Sequence, residues 1–189
     1  IVTRDVAEQL AWSDRDIDVL IATHPDTDHI GGLSDVLARY EVDLILQTEA
    51  KSDSPAAEAF ASAVAQEDAV VHYARAGQQI RLGASTTIEV LSPASDTNNW
   101  NTNAASVVIR VVYGDTAFML SGDAHDTIED YLVSVHGDAL QSDVLKLGHH
   151  GSKTSTSDAF LDAVSPQYAV VSASLNNRYG HPDQSVMQR

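Results

Sequence analysis

Apolar residues along the chain form two kinds of pattern, short continuous runs and runs with helical spacing. Buried strands are predicted for the runs "IDVLIAT", "VDLIL", "DVLKL" and "YAVVSAS". Helical spacing occurs around Val6 to Ala11, on a face marked by Leu33, Val36, Leu37 and Tyr40, and in "PAAEAFASAV", "HDTIEDYLVSVH" and "TSDAFLDAV". Because strands and helices alternate through the whole length, we expect an α/β protein.

The middle of the chain carries shorter strand patterns. Strands are predicted for "QQIRL" and "TTIEVL", while "SVVIRVVY" and "TAFMLS" flank Gly114 and Asp115, which suit a tight hairpin turn. A hairpin is antiparallel, whereas strand–helix–strand units favour parallel pairing, so the sheets are predicted to be mixed. The chain has the length of one ordinary domain and contains no internal repeat, so residues 1–189 are predicted to form a single domain.

Composition limits the chemistry that this domain can use. Hydrophobic residues make up 43% of the chain, but no apolar run approaches the ~20 residues that span a bilayer. The chain begins at Ile1 rather than Met, so we expect a piece of a longer protein, with opening strands and most of a final helix missing. There is no cysteine, so a bound metal must be held by histidines and carboxylates.

The charge of the chain is strongly acidic. Asp and Glu number 27 against 11 Lys and Arg, which gives a net charge of -16. Such a surface repels nucleic acid unless a local basic patch or bound cations reverse the field. The simplest interpretation is a strongly solvated surface, as in a salt-adapted or secreted protein, and it favours a small substrate over DNA.

Four predicted strands run directly into loops rich in His, Asp and Gly. These segments read "DVLIAT" into "HPDTDH", "TAFMLS" into "GDAHD", "DVLKLG" into "HHGSKTS", and "YAVVSAS" into "LNNRYGH". In α/β proteins, ligands bind where strand ends converge. The four loops are therefore predicted to form one shared site.

The first loop has the highest density of metal ligands. Four potential ligands fall within six residues, and they are His24, Asp26, Asp28 and His29. This density suits two adjacent metals. A calcium EF-hand loop is excluded because Ile30 and Leu37 stand where oxygen ligands are required, and a zincin helix would need Glu beside the first His. The remaining alternative is an acidic turn that caps the following helix.

The second and third loops supply further ligands. Asp123 ends an apolar strand, where an ionised carboxylate that faces inward is costly without a positive partner. It is predicted to bridge the metals, or alternatively to cap the helix that starts near Thr127. In the third loop His149 directly follows the strand end and is predicted to bind metal, whereas His150 and Lys153 are predicted to contact an anionic substrate.

The fourth loop offers hydrogen-bond donors. Asn177, Arg178 and His181 suit a phosphate or a developing oxyanion, although an ordinary turn would read in the same way. We expect Asn177 and Arg178, with Lys153, to bind substrate. The candidates for catalytic roles are Asp28, His150 and His181.

Four segments together resemble one known family. The segments "HPDTDHIGGL", "SGD", "DVLKLGHHGSKTS" and "NNRYGHP" resemble the metallo-beta-lactamase-like domain of ComEC-type DNA-internalisation proteins of bacterial competence. The resemblance implies a four-layer αββα sandwich, a dinuclear site between the sheets and hydrolysis by a hydroxide that bridges two metals. It further implies an extracytoplasmic nuclease, tethered to a membrane channel domain, that degrades the DNA strand which is not imported.

The resemblance also implies a distribution of ligands. One metal would be held by His24 and Asp26, the other by Asp28, His29 and His149, with Asp123 as the bridge. Two positions depart from the superfamily: Asp26 stands where His is commoner, and "NTNAASVV" has Asn103 and Ser106 in place of a strong ligand. The first site is therefore poor in ligands and rich in carboxylate, so the two divalent metals are expected to be Zn²⁺ or Mn²⁺.

Three functions remain open from the sequence. The first is hydrolysis of phosphodiesters in DNA, with a single strand as the expected substrate. The second is hydrolysis of a small ester, lactone or phosphoester, which the acidic surface favours. The third is a degenerate binding or structural domain that has lost one metal, which the ligand-poor first site favours.

Overall fold

Two β-sheets are stacked face to face in the computed structural model, which describes residues 2–189. The first sheet is parallel and contains β1 (Asp16–Ala22), β2 (Glu41–Gln47) and β3 (Val70–Tyr73) in that order. The second sheet has the order β4 (Gln79–Leu82), β5 (Thr86–Ser92), β6 (Val108–Tyr113), β7 (Thr116–Leu120), β8 (Val144–Lys146) and β9 (Tyr168–Val170). Pairing is antiparallel from β4 to β7 and parallel from β7 to β9, which confirms the predicted mixed sheet.

Helices cover the outer side of each sheet. The first sheet is covered by α1 (Val2–Gln9), α2 (Thr27–Ile30), α3 (Leu33–Leu37) and α4 (Pro55–Val64). The second sheet is covered by α5 (Asp126–His136), α6 (Asp158–Val164) and α7 (Gln184–Met187). In the described part of the chain, no helix has both the length and the apolar character needed to cross a bilayer.

Alternating residues of the strands build separate apolar layers. In β2, Ile45 packs toward the helices of the first sheet, while its neighbour Leu46 packs between the two sheets. The inter-sheet layer also contains Val90 and Ile109 of the second sheet, and Phe160 of α6 packs on the far side of that sheet. Full burial of each such side chain contributes roughly 1.5–3 kcal/mol. The layers therefore run helix, sheet, sheet, helix, which confirms the predicted αββα sandwich.

The boundaries of two elements differ most from the sequence prediction. The first helix starts at Val2 and ends at Gln9, earlier than the predicted Val6 to Ala11. Only Tyr168–Val170 of the predicted strand "YAVVSAS" is strand. The reason lies in its neighbour, because β8 ends at Lys146 and the chain then turns into a 3₁₀ segment, Gly148–Gly151. Beyond Val170, β9 consequently has no continuing ladder on β8.

Candidate metal centre

The loops after β1, β7 and β8 meet at one edge of the sandwich, and these are three of the four loops that the sequence predicted to share one site. They bring together six of the predicted site residues, which are His24, Asp28, His29, Asp123, His149 and His150. Asp26 is less central and half-buried, with Oδ2 3.7 Å from His24 Nε2. The cluster contains only imidazole nitrogens and carboxylate oxygens, which are the donors expected for a metal in a chain without cysteine.

Asp123 lies at the centre of this cluster, and its residue is only 3% exposed. His29 Nε2 is 3.2 Å from Asp123 Oδ1, while the Nε2 atoms of His150, His149 and His24 are 3.5, 3.7 and 3.9 Å from Oδ2. Burial tends to raise the pKa of Asp123, but contact with His29 and the nearby imidazoles outweighs burial and lowers that pKa to about 2. Asp123 is therefore a carboxylate at neutral pH.

His24 is held in the form that binds metals. Its ring is buried, and Nδ1 lies 3.1 Å from Thr23 Oγ1 and 3.3 Å from Ser106 Oγ. Burial, followed by the proximity of His29, lowers the pKa of His24 to about 4, so the ring is neutral at pH 7. If the neutral ring carries its proton on Nδ1, this N–H donates a hydrogen bond to one of the two hydroxyls. Nε2 then keeps its lone pair and lies on the side of the ring that faces Asp123.

Ser106 is a site residue whose role the sequence did not predict. Besides its contact with His24, its Oγ accepts a hydrogen bond of 3.1 Å from the backbone N–H of Asp123. The sequence singled out Ser106 only as a weak replacement for a ligand. In the structure Ser106 orients two candidate ligands from different loops, His24 and Asp123. Residues that hydrogen-bond to metal ligands commonly orient them in this way.

His150 reaches the centre beside His149. Its Nε2 lies 3.1 Å from His29 Nε2 and 3.3 Å from Asp28 Oδ2, and its Nδ1 donates to the carbonyl oxygen of Ser172 at 2.8 Å. The sequence predicted His149 as a metal ligand and His150 as a substrate contact. The geometry places His150 within reach of the same ion as Asp28 and His29.

The chemistry of the cluster fits divalent cations. Two imidazole nitrogens that share a tetrahedral zinc at 2.0–2.1 Å stand about 3.3 Å apart, close to the separation of the His29 and His150 nitrogens. Among residues 2–189, the buried His24 Nε2 and Asp123 Oδ1 have no hydrogen bond of normal geometry. Leaving such atoms unpartnered costs about 1–3 kcal/mol each, and a cation would satisfy both. His24, His29 and Asp123 form one candidate group, and Asp28, His29 and His150 form another.

An unusual backbone allows two consecutive histidines to face Asp123. His149 and His150 have φ angles of +46° and +56° in the left-handed region, which non-glycine residues rarely adopt. Each such residue costs of order 1–3 kcal/mol and persists only where neighbouring contacts hold it. Those contacts include a hydrogen bond from Gly148 N–H to Thr156 Oγ1 at 3.1 Å and one from Ser155 Oγ to the Gly148 carbonyl oxygen at 2.8 Å.

Glu129 of α5 supports this turn from behind and was missed by the sequence analysis. Its side chain is fully buried, and its carboxylate accepts hydrogen bonds from the backbone N–H groups of Thr156 and Ser157. Burial raises the pKa of Glu129 above its ordinary value of 4.5, although the two N–H groups act in the opposite direction. In the sequence, only its place among apolar residues on a helix face hinted at burial.

The fourth loop lies beside His149. Asn177 uses its whole amide inside the loop, because Nδ2 donates to the carbonyl oxygens of Ser174 and His181, and Oδ1 accepts from the N–H groups of Tyr179 and His181. This bonding orients His181, whose ring centre is 5.7 Å from that of His149. Of the predicted substrate contacts, Lys153 and Arg178 are exposed and free to meet a ligand at the rim.

The sequence places His125 at the start of the predicted helix "HDTIEDYLVSVH", where a solvated side chain is expected, and in the structure His125 takes the position just before α5. Its ring is half-buried, however, and stacks on the ring of His149 with centres 5.7 Å apart and an angle of 14°. His149 is therefore flanked by His125 on one side and by His181 on another. These contacts limit the orientations that the His149 ring can adopt.

Gly151 joins the third and fourth loops, and we expect Gly151→Ala to lower the free energy of unfolding by about 2 kcal/mol. The φ of Gly151 is +81°, and an added Cβ would lie 2.6 Å from Pro182 Cβ. Two effects contribute, the strain of a positive φ and the clash with Pro182. Urea unfolding of Gly83→Ala measures the first effect alone, because Gly83 has a φ of +61° but no atom of residues 2–189 within 4 Å of its added Cβ. Equal losses in both variants would show that the close approach to Pro182 contributes nothing.

The parallel sheet stacked on the mixed sheet and the His/Asp cluster at the strand ends define an αββα fold of the metal-dependent hydrolase type. The chain belongs to the metallo-beta-lactamase superfamily, whose family model matches residues 2–174. It is 32% identical to ComE operon protein 3 of Bacillus subtilis (strain 168) and 36% identical to competence protein ComA of Neisseria gonorrhoeae. These alignments cover 92% and 93% of this chain but only 22% and 23% of those proteins. The predicted resemblance to ComEC-type competence proteins is thereby confirmed.

Solved structures support the fold at low sequence identity. CmlA, a diiron beta-hydroxylase from Streptomyces venezuelae, is 13% identical, with a TM-score of 0.54 over 82% of this chain and 35% of that chain. A putative metal-dependent hydrolase from Parabacteroides distasonis is 14% identical, with a TM-score of 0.53 over 96% of this chain and 77% of that chain. At these identities the likeness shows the shared architecture alone.

Proposed function

We propose that this chain is a two-metal phosphodiesterase that cleaves DNA during DNA uptake, with a single strand as its substrate. The observation that carries the proposal is the buried Asp123 carboxylate with four histidine Nε2 atoms within 3.9 Å, at an edge where three loops meet. The similarity to proteins named for competence supports DNA as the substrate. As the chain spans less than a quarter of those relatives, a place beside a membrane channel and outside the cytoplasm is part of the proposal.

The residues divide into those that would hold metals and those that would meet the substrate. His24 and Asp26 would hold one cation, Asp28, His29 and His149 the other, with Asp123 between them; the position of His150 supports it as a further ligand of the second. Two bound divalent cations lower the pKa of a shared water and offset the charge of a phosphodiester. At the rim, Lys153, Arg178 and His181 would donate hydrogen bonds to phosphate oxygens.

The acidic surface is compatible with DNA only if charge is distributed unevenly. The segment 171–182 contains Arg178 and no carboxylate, and Lys153 lies in the neighbouring loop. Bound divalent cations would add positive charge at the same edge. The approach to the centre would then be locally attractive to phosphate although the chain carries a net charge of -16.

Two other functions have specific support. The acidic surface favours a small ester, lactone or phosphoester as substrate, since such a ligand contacts only the centre itself. The half-exposed Asp26, whose only close contact with the cluster is at 3.7 Å from His24, favours a domain that has lost one metal. The same experiment separates all three functions.

Metal binding should stabilise the chain measurably. We expect chain stripped with EDTA and reloaded with Zn²⁺ or Mn²⁺ to bind two ions, counted by plasma mass spectrometry. At 100 times Kd, one bound ion adds about 2.7 kcal/mol to the free energy of unfolding. For a chain of this length that corresponds to a rise in Tm of roughly 8 °C. His72→Ala, which removes an exposed histidine from β3, should leave ion count and Tm rise unchanged.

The loaded chain is then tested for turnover of a labelled single strand, the matching duplex and a chromogenic phosphodiester. Cleavage of the single strand that disappears with EDTA would support the proposed function. Two bound ions with turnover only of small esters or phosphoesters would favour the second function. A folded chain that binds one ion or none and turns over nothing would favour the degenerate domain.

A further inference from the structure

An exposed tyrosine stands at the rim of the candidate metal centre. The residue is Tyr179, in the loop between β9 and α7, and it is 66% exposed. Its ring lies nearly parallel to that of His181, with centres 5.8 Å apart and an angle of 16°. Aromatic pairs of this geometry attract one another, so the ring is held in one orientation while it stays open to solvent.

A short series of rings connects Tyr179 to the centre. His181 contacts Tyr179 on one side and lies 5.7 Å, centre to centre, from His149, whose Nε2 is 3.7 Å from Asp123 Oδ2. The backbone that carries Tyr179 is fixed by Asn177, which accepts a hydrogen bond from the Tyr179 N–H at 3.1 Å. A ligand that contacts the tyrosine ring is therefore placed beside the metal ligands.

The tyrosine is paired with a cation. The guanidinium carbon of Arg178 is 4.9 Å from the centre of the Tyr179 ring, and its Nη2 donates to the tyrosine hydroxyl at 2.6 Å. Arginine guanidinium planes and aromatic rings are the two groups on which single-stranded bases stack, and arginine also binds phosphate. In a chain with a net charge of -16, this segment carries Arg178 and no carboxylate, so it repels a polyanion less than an acidic segment would.

We infer that Tyr179, together with Arg178, stacks a base of single-stranded DNA and so holds the strand against the metal centre. The inference rests on the proposed function, and it names a residue that selects single strands. Bases in a duplex are already paired and stacked on their neighbours, so they offer no free face to Tyr179. Arg178 lies over the ring in the chain without DNA, so the base would take its place on Tyr179, and Arg178 would move to the outer face of that base or to the adjoining phosphate.

The first test measures binding without cleavage. With Zn²⁺ or Mn²⁺ bound, fluorescence anisotropy with a labelled, cleavage-resistant single-stranded phosphorothioate oligonucleotide should show about 10-fold weaker binding for Tyr179→Ala. Tyr179→Phe, which keeps the ring and loses the hydroxyl, should bind like the wild type. Tyr113→Ala should also be unchanged, because Tyr113 is 61% exposed but precedes the β6–β7 turn, at the other end of β7 from Asp123.

Abasic DNA distinguishes stacking from a general disturbance of the loop. An oligonucleotide with the same backbone but without bases should bind the wild type and Tyr179→Ala equally, as should the duplex. The inference is overturned if Tyr179→Ala binds the normal single strand as tightly as the wild type. It is equally overturned if the alanine variant loses as much affinity for abasic DNA, or if Tyr179→Phe loses as much as Tyr179→Ala.

Turnover by the metal-loaded chain separates this inference from the proposed function. Tyr179→Ala should raise KM for the single strand about 10-fold with little change in kcat for that strand. Cleavage of the single strand with an unchanged KM in the variant would support the function and overturn the stacking role. Binding that depends on Tyr179 without any cleavage by the loaded chain would support the stacking role and overturn the function.

Discussion

Asp123→Asn is expected to lower metal-dependent turnover by at least about 100-fold while the chain stays folded. Asp123 presents both of its oxygens to the surrounding imidazoles, with His29 at 3.2 Å from one and His150 at 3.5 Å from the other. The amide has nearly the same shape but carries no charge and offers a single acceptor, so it cannot bridge two cations. Turnover of the single strand and of a small phosphodiester should fall together.

The measurement pairs kinetics with an ion count. Bound Zn²⁺ or Mn²⁺ should drop below two per chain in Asp123→Asn, and the rise in Tm on adding metal should shrink. Asp115→Asn is the matched control, because Asp115 is exposed in the β6–β7 turn at the other end of β7. Full turnover by Asp123→Asn with two bound ions would contradict the bridging role.

Glu129→Ala is expected to lower the free energy of unfolding by about 3 kcal/mol, although Glu129 touches none of the candidate ligands. The change leaves the buried N–H group of Thr156 and the N–H group of Ser157 without their acceptor and opens a cavity under α5. The hydroxyl of Thr156 accepts from Gly148 N–H, so the turn that carries His149 and His150 should loosen as well. Urea unfolding measures the first effect, and metal affinity measures the second.

Two variants and a pH series control this prediction. Asp130→Ala removes an exposed carboxylate from the same helix and should change stability by less than about 0.5 kcal/mol. Glu129→Gln keeps one acceptor and does not titrate. Since burial raises the folded pKa of Glu129 above 4.5, its proton favours folding below that pH. The stability of the wild type relative to Glu129→Gln should therefore fall as pH rises through the raised pKa; a constant difference would contradict burial as the cause.

Asp123→Asn and Glu129→Ala test different contributions to the metal centre, the first its charge and the second the stability of the backbone that carries His149 and His150. Asp123 acts through charge at the place where ions are expected to bind, so its loss should spare the fold. Glu129 acts on the backbone behind the loop, so its loss should first reduce stability and only then metal affinity. A set of variants in which metal affinity and stability always fell together would show that the centre cannot be separated from the core.

Much of the fold followed from local patterns in the sequence. Buried strands and amphipathic helices have different spacings of apolar residues, so the α/β class was predictable, and the β6–β7 hairpin indicated mixed pairing. The αββα order of layers was predicted only from the resemblance to the metallo-beta-lactamase fold. Four strands that end in loops of His, Asp and Gly also indicated one shared site. The candidate ligands His24, Asp26, Asp28 and His29 lie within six residues, and such a dense cluster can be recognised without knowing how the chain folds.

Other features were decided only by tertiary contacts between distant positions. His29 contacts His150, which is 121 positions away in the sequence, and His24 contacts Ser106, which is 82 positions away. Local sequence patterns do not predict contacts at such separations. From the sequence, only the position of His149 nearer the strand end distinguished it from His150. Their left-handed backbone, held from behind by Glu129 and Thr156, turns both rings toward Asp123.

The sequence by itself therefore determined which side chains are available for metal chemistry and on which strand ends they stand, because both depend on short-range spacing. The tertiary structure decided which of them share one centre, which hydroxyls and carboxylates orient them, and that Tyr179 stands at its rim. Those arrangements depend on how the two sheets stack and on how loops from different strands pack together, which no single segment specifies.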